Sequence, residues 1–241
     1  MTEDFQAEFG ATVLPALIET LSDPVPRVSA HCSSAITNFM DGAEEELVAP
    51  YIEALIAKLL PLIKEGISIQ KENSVTAFAS TAVAIKSQFD KYFNDSLDVL
   101  LGQLNTNGGP EYKQLRAQII EGITLMAGSV SDEVFMAKSQ QIIEAMVAIQ
   151  TSNMDSKDPQ RSYLLSAWQR ICLKMKEGFT PYLPAILPNI LAMASLKPEM
   201  GIDGQTGALD DVLNEITPDS GEKKIHSNIV NDDIEEKDSA I

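Results

Sequence analysis

Residues 50–63 read PYIEALIAKLLPLI, and their apolar members Ile52, Leu55, Ile56, Leu59 and Ile63 fall on one face of a helix. Related stretches open at Lys91 (KYFNDSLDVLLGQL), Val134 (VFMAKSQQIIEAMV) and Pro181 (PYLPAILPNILAMA). Their aromatics Tyr51, Tyr92, Phe135 and Tyr182 are separated by 41, 43 and 47 residues. A step of 42 back from Tyr51 reaches Phe9, which opens FGATVLPALIETL. One helix therefore occurs five times.

A helix of different character lies between successive copies, at residues 27–42, 71–89, 112–129 and 159–177. In the first, Val28, Cys32, Ala35, Ile36, Phe39 and Met40 form one apolar stripe; Leu115, Ile119, Ile120, Ile123, Met126 and Ala127 do the same in the third. No stretch sustains strand-like alternation, and NTNGGP at 105–110 reads as a helix-ending turn. The pattern predicts an all-α chain of antiparallel helix pairs. Its period matches HEAT repeats, with four to five units in a right-handed superhelical solenoid. Pro15, Pro61 and Pro188 fall inside the recurring helix, where each bends it, as a curved stack can accommodate. The repeats are expected over 1–198. Residues 199–241 form an acidic segment, expected to be disordered and to end where another helix begins.

The formal charge of −17 argues against nucleic acid as a direct partner and favours basic proteins or peptides. Residues 199–241 alone carry twelve Asp and Glu against three Lys. Cys32 and Cys172 lie on separate helices and read as buried, reduced thiols. No charged-then-apolar leader precedes Phe5 and no apolar run reaches membrane-spanning length, so a soluble, intracellular protein is expected. The array starts on a helix whose partner is missing, leaving Val13, Leu14, Leu17 and Ile18 partly uncovered, and stops at IEEKDSAI. Both ends suggest a piece of a longer solenoid.

Enzymatic chemistry finds no footing. His31 and His226 are the two histidines, and His31 points about 100° away from its helical neighbour Cys32. Gly108–Gly109 lacks the lysine and strand of a phosphate-binding loop. The acids at 44–46 and 232–236 lack calcium-loop spacing, so no metal or cofactor is expected. Trp168 shares a stripe with Leu164, Leu165, Ile171, Cys172 and Met175 and reads as core.

The turn LSDPVPRVSAH, 21–31, resembles the HEAT turn, placed here between the second helix of one unit and the first helix of the next. The resemblance implies that Asp23 and Arg27 join a ladder of side chains between neighbouring units. Arg116, Asp158 and Arg161 keep that pattern more loosely. Two longer strings, HCSSAITNF…LVAPYIEALIAKLLPLI and DPQRSYLLSAWQRICLKMKEGFTPYLPAILPNILAMASLKPE, resemble the karyopherin-beta nuclear transport receptors, in their importin-five branch. The matching positions include Asp158, Pro159, Ser162, Tyr163, Ser166, Trp168, Arg170, Tyr182, Pro184, Lys197 and Glu199. The acidic segment departs from the family, holding Lys223–Lys224 and only paired acids.

This resemblance implies a receptor that shuttles between cytoplasm and nucleus, including the pore, without stable self-association: a monomer. Its partners would be basic cargo with nuclear localisation signals, such as ribosomal proteins and histones, together with the GTPase Ran and nucleoporin FG repeats. It implies neither nucleic-acid binding nor membrane insertion. The alternative is a HEAT scaffold of the phosphatase-subunit type. In the family the second helices line the concave face. Taking 50–63 as a second helix, Glu53 and Ala57 point away from its core; a shift of 41 gives Asn94 and Asp98, with Asp95 alongside, and a further 43 gives Ala137 and Gln141. Asn38, in a first helix on this reading, is a further candidate. Carboxylates would pair with lysine ammonium groups and amides would hold the peptide backbone.

Overall fold

The computed structural model of the protein describes residues 3–194, apart from 153 and 156. Every regular element among them is a helix: α1 (Glu3–Thr20), α2 (Pro26–Met40), the single turn α3 (Glu45–Val48), α4 (Ile52–Glu65), α5 (Ser68–Ile85), α6 (Asp90–Thr106), α7 (Lys113–Ser129), α8 (Asp132–Gln150), α9 (Gln160–Met175) and α10 (Leu183–Ala194). Pro26 starts α2 at a position where its missing N–H costs nothing, and Pro15, Pro61 and Pro188 lie inside α1, α4 and α10. The chain divides into one compact unit ending at Leu183 and another from Pro184, of which the remainder of α10, 184–194, is the described part. The acidic segment 199–241, with His226 and the closing IEEKDSAI, lies outside the described residues.

In the first unit, α1 packs on α2, α4 on α5, α6 on α7 and α8 on α9. These contacts cross the short turns at Leu21–Val25, Gly66–Ile67, Asn107–Tyr112 and 151–159, whereas α2 and α4, or α5 and α6, scarcely touch. The turn holding Asp23 and Arg27 therefore lies inside a pair, not between units. Helices α1, α4, α6 and α8 are the first members of their pairs, and α2, α5, α7 and α9 are the second. A periodic sequence fixes the length of the unit but not its phase, which is why the expected assignment was inverted.

The two layers pack differently. Along the second-helix layer, neighbours lie close together, while α4, α6 and α8 touch one another sparingly. Small residues allow the close approach: Ser29, Ser33, Ser74, Ala77, Ala79, Ala117 and Gly122 are all buried. Ser33 and Ser74 share a 3.1 Å hydrogen bond, Gln70 donates to Ser29 Oγ at 2.8 Å, and Asn73 donates to the Ala30 carbonyl at 3.1 Å. Within this unit the closer approach of successive repeats is therefore made by the second helices. Large apolar side chains fill the space between layers: Leu14, Ile36, Phe39, Leu55, Leu59, Ile63, Phe78, Phe93 and Leu97 are fully buried.

One corner appears twice. Lys86 and Lys176, 90 residues apart, end α5 and α9 at φ 49° and 52°, in a region L-residues rarely occupy. Short 3₁₀ segments follow, Lys86–Phe89 and Lys176–Tyr182. In the first corner Phe89 packs against Phe78 and Tyr92; in the second Phe179 packs against Trp168 and Tyr182. Trp168 is core, as its stripe predicted, and its Nε1–H donates to Gln150 Oε1.

Three local expectations change. Val28 is exposed at the start of α2 rather than joining the buried stripe, and Cys172 is exposed on α9. Cys32 is buried: its thiol lies 3.0 Å from the Leu17 carbonyl, and burial pushes its pKa up to about 11. Leu14 is fully covered, while Phe5 and Phe9 are the exposed large residues of α1.

Candidate functional site

The candidates fall on two different layers. Glu53 on α4, Asn94, Asp95 and Asp98 on α6 and Gln141 on α8 are all exposed, on first helices. Asn38 is exposed on α2, a second helix. The six side chains therefore cannot line one surface. The corrected pairing puts Asn38 on the second-helix layer and the other five on the opposite layer.

Register moves one of them again. Buried Ile52, Leu55, Ile56 and Leu59 recur 41 residues later as Phe93, Ser96, Leu97 and Leu100. Phe93, Leu97 and Leu100 then recur after 42 residues as Phe135, Ser139 and Ile142. The equivalent of Asp98 is thus Gln140, not Gln141. Matching Tyr92 to Phe135 by aromatic character added one residue; the partner of Phe135 in the core is Phe93.

Two carboxylates of the first-helix row, Glu53 and Asp98, already meet lysines of the same chain. Glu53 Oε1 lies 3.6 Å from Lys91 Nζ and accepts a long 3.4 Å hydrogen bond from the Tyr92 hydroxyl, while Lys91 sits 4.6 Å from the Tyr92 ring centre. Asp98 lies 3.8 Å from Lys138, which also donates to Gln141 Oε1 at 3.5 Å. Gln140 donates to Glu144 at 2.8 Å. Such exposed pairs are weak, about 0.2–1 kcal/mol each, and exchange readily with other charges.

The second-helix surface offers a different set. Beside Asn38 it carries His31 from α2, Glu72, Asn73 and Thr76 from α5, and Gln118 and Glu121 from α7, followed by Gln169 and Arg170 from α9; all are exposed or half-exposed. Arg170 pairs with Glu121 at 3.2 Å and reaches Thr124 at 3.4 Å. Most of these were missed because they lie between apolar residues on helices buried along most of their length. Their signal is the period: Thr76 follows Ala35 by 41 residues, as Ser74 follows Ser33.

The bonds between repeats depart from the expected ladder. Asp23 Oδ1 accepts the Val25 N–H within its own turn at 2.8 Å, and Arg27 is exposed with no hydrogen bond or ion pair among the described residues. A proline-spaced turn closes on its own Asp instead of reaching a neighbour. Arg116 does cross to α9, donating from Nε to Gln160 Oε1 at 2.8 Å, and its Nη1 holds the Asn107 and Gly109 carbonyls at 2.8 and 2.7 Å. Asp158, buried before α9, meets Lys113 of α7 at 2.7 Å and accepts from the Gln160 backbone N–H and side-chain amide, each at 3.0 Å. Burial alone would raise the Asp158 carboxyl; the Lys113 and Gln160 donors outweigh it and hold the group below its ordinary range. Arg161 donates its backbone N–H to the Asp158 carbonyl at 3.1 Å.

Stacked helix pairs with repeating inter-pair contacts define a helical-repeat solenoid, a class built to present extended surfaces to protein partners. No protein-family model matches the chain. It is 34% identical over 191 residues to importin subunit beta-3 of Saccharomyces cerevisiae, covering 79% of this chain and 17% of that protein. Among solved structures, Kap121p superposes with a TM-score of 0.81 at 30% identity, over 99% of this chain and 23% of that one. Kap121p bound to Pho4p gives a TM-score of 0.80 at 29% identity, over 98% and 22%. The chain belongs to the importin-beta family of karyopherins, and its fold is their all-α HEAT-repeat solenoid. It spans about a sixth of the length of the curated relatives it matches, 17% in each case.

Proposed function

We propose that this chain is part of a nuclear import receptor that holds lysine-rich cargo segments along the surface of α2, α5, α7 and α9. The intact receptor would carry basic cargo between cytoplasm and nucleus through the pore, engage nucleoporin FG repeats and release cargo to GTP-bound Ran. The pairing of helices carries this reading, because it makes this closely packed layer the second-helix side. Amide and carboxylate groups recur along it from Asn38 to Gln169, and Kap121p, which resembles this chain, has been solved with Pho4p bound. An acidic protein of formal charge −17 attracts such cargo at long range, and the amides then bond to its backbone. No reaction is needed; this is a binding surface and not an enzyme.

A second reading places cargo on the first-helix row of Glu53, Asn94, Asp95 and Asp98. The in-chain lysines support it, since Lys91 and Lys138 already sit against two of those carboxylates. Two triple variants separate the readings: Asn38→Lys, Thr76→Lys and Gln169→Lys on one layer, and Glu53→Lys, Asn94→Lys and Asp98→Lys on the other. Fluorescence anisotropy with a labelled octalysine peptide at low salt should show the first variant binding at least about tenfold more weakly, a loss of roughly 1.4 kcal/mol. The second should fall only by the smaller amount that its added charge produces at a distance. The reverse order would move the site to the first helices.

A further inference from the structure

We propose that Glu72 and Gln118 form a notch for a lysine ammonium at the seam between α5 and α7, on the cargo surface inferred above. The proposal rests on that reading and names the groups within it that take the cation.

Register brings the two side chains together. Successive second helices run parallel: Ser29 and Ser33 of α2 meet Gln70 and Ser74 of α5, each 41 residues on. On the α5–α7 seam a Cβ placed on Gly122 would lie 2.9 Å from Val75 Cγ1 and 3.8 Å from Ala79 Cβ, so Gly122 sits at the level between those two residues. One helical turn earlier, Gln118 is level with the stretch from Lys71 to Val75, which contains Glu72.

Direction follows from the 100° step of a helix. On α5, Gln70, Asn73 and Ser74 turn toward α2, Val75 and Ala79 toward α7, and Phe78 and Ile85 into the core; half-exposed Thr76 and exposed Val83 mark the solvent side. Glu72 then projects between α7 and solvent. On α7, Gly122 faces α5, Glu121 reaches toward Arg170 of α9, and Ile119, Ile123 and Met126 are core. Gln118 projects between α5 and solvent. The two residues share one seam and one rim.

Both bring acceptors that lack donors. Gln118 Oε1 is buried and receives no hydrogen bond from the described residues. Glu72 is half-exposed and burial raises its carboxyl pKa; Thr76 bonds its backbone carbonyl at 3.2 Å, but no described residue bonds or pairs with its carboxylate. Donors on α5 and α9 are engaged elsewhere: Lys71 donates to Gln103 at 2.8 Å, Asn73 to the Ala30 carbonyl at 3.1 Å and Arg170 to Glu121 at 3.2 Å. A compact group with several N–H donors and no acceptor satisfies one carboxylate and one amide oxygen together, which describes an ammonium better than a planar guanidinium.

Octalysine titrated into this chain by calorimetry tests the notch. Glu72→Gln and Gln118→Leu should each weaken binding about five- to tenfold. Gln118→Leu should also raise the melting temperature, because it removes a buried acceptor that folding leaves unpaired. Wild-type affinity in both variants, alongside lost binding in the Asn38, Thr76 and Gln169 lysine variant, would overturn the notch and leave the surface standing. If that lysine variant also binds like wild type, the surface and the notch fall together. An unchanged or lowered melting temperature for Gln118→Leu counts against the notch, since the oxygen is then already satisfied.

Discussion

The two helix layers of one stack solve different problems. Second helices approach one another through Ser29, Ser33, Ser74, Ala79 and Gly122, and buried hydroxyl and amide bonds tie them at fixed separations. First helices keep their distance and meet through exposed pairs such as Glu53–Lys91 and Asp98–Lys138. Interiors packed at crystal density respond to a single added methyl group, whereas exposed ion pairs contribute little. The spacing of repeats is therefore set on the second-helix side, and the first-helix side accepts change. A solenoid that must present a surface of constant pitch benefits from having its rigid layer beneath that surface.

The largest test of this contrast is the ion pair at the end of the second-helix layer. The Asp158 side chain is 0% exposed and draws donors from both α7 and α9, whereas Lys113 retains 29% exposure. Asp158→Asn should cost about 2–3 kcal/mol in urea unfolding, below the full penalty for a buried pair because water still reaches the lysine. The same variant checks the sign of a pH effect. The folded-state pKa of Asp158 is lowered, so its contribution is complete above the unfolded value of about 3.9 and is lost as pH falls through the lower folded value. Stability measured between neutral pH and pH 3 should therefore fall less steeply in the variant. Neutralising Asp98 in its exposed pair should change stability by less than about 1 kcal/mol; an equal loss at the two sites would abolish the distinction between layers.

Gly122 supplies the next largest effect. A methyl group there would meet Val75 Cγ1 at 2.9 Å, and a β-branched side chain has little freedom to withdraw. Gly122→Ala should destabilise by about 1–2 kcal/mol, the overpacking cost reduced by the gain in helix propensity. Thermal unfolding followed by circular dichroism would measure it. A stabilised variant would mean that the second helices can slide apart freely.

Much of this architecture was legible before any coordinates. Ile52, Leu55, Ile56, Leu59 and Ile63 are buried as their spacing predicts, and the family strings led to the right family. Phase was not legible, because an alternating series of two helices reads the same whichever turn is placed inside the pair. Taking the Asp23–Arg27 turn as a boundary inverts the phase and places Glu53 and its row on the expected cargo face. Gln118 and Glu72 stayed hidden for another reason: a single polar residue between apolar ones carries no signal until the neighbouring helix is known. The paired corners at Lys86 and Lys176 were equally silent, since lysine gives no warning of a positive φ.

The smallest expected effect has the opposite sign and is the sharpest comparison. Gly102 lies within α6, in the first-helix layer, and a Cβ added there would meet nothing within 4 Å beyond its own helix backbone and chain neighbours. Glycine in a helix interior loses more backbone freedom on folding than alanine does, so Gly102→Ala should stabilise by roughly 0.5–1 kcal/mol. The same chemical change thus lowers stability at Gly122 and raises it at Gly102, with the layer deciding the sign. Because the two glycines lie on different faces and share no partner, the double variant should equal the sum of the single changes to within about 0.5 kcal/mol. A shortfall beyond that would show that spacing imposed on the second helices is transmitted to the first, and the two layers would then be one mechanical body.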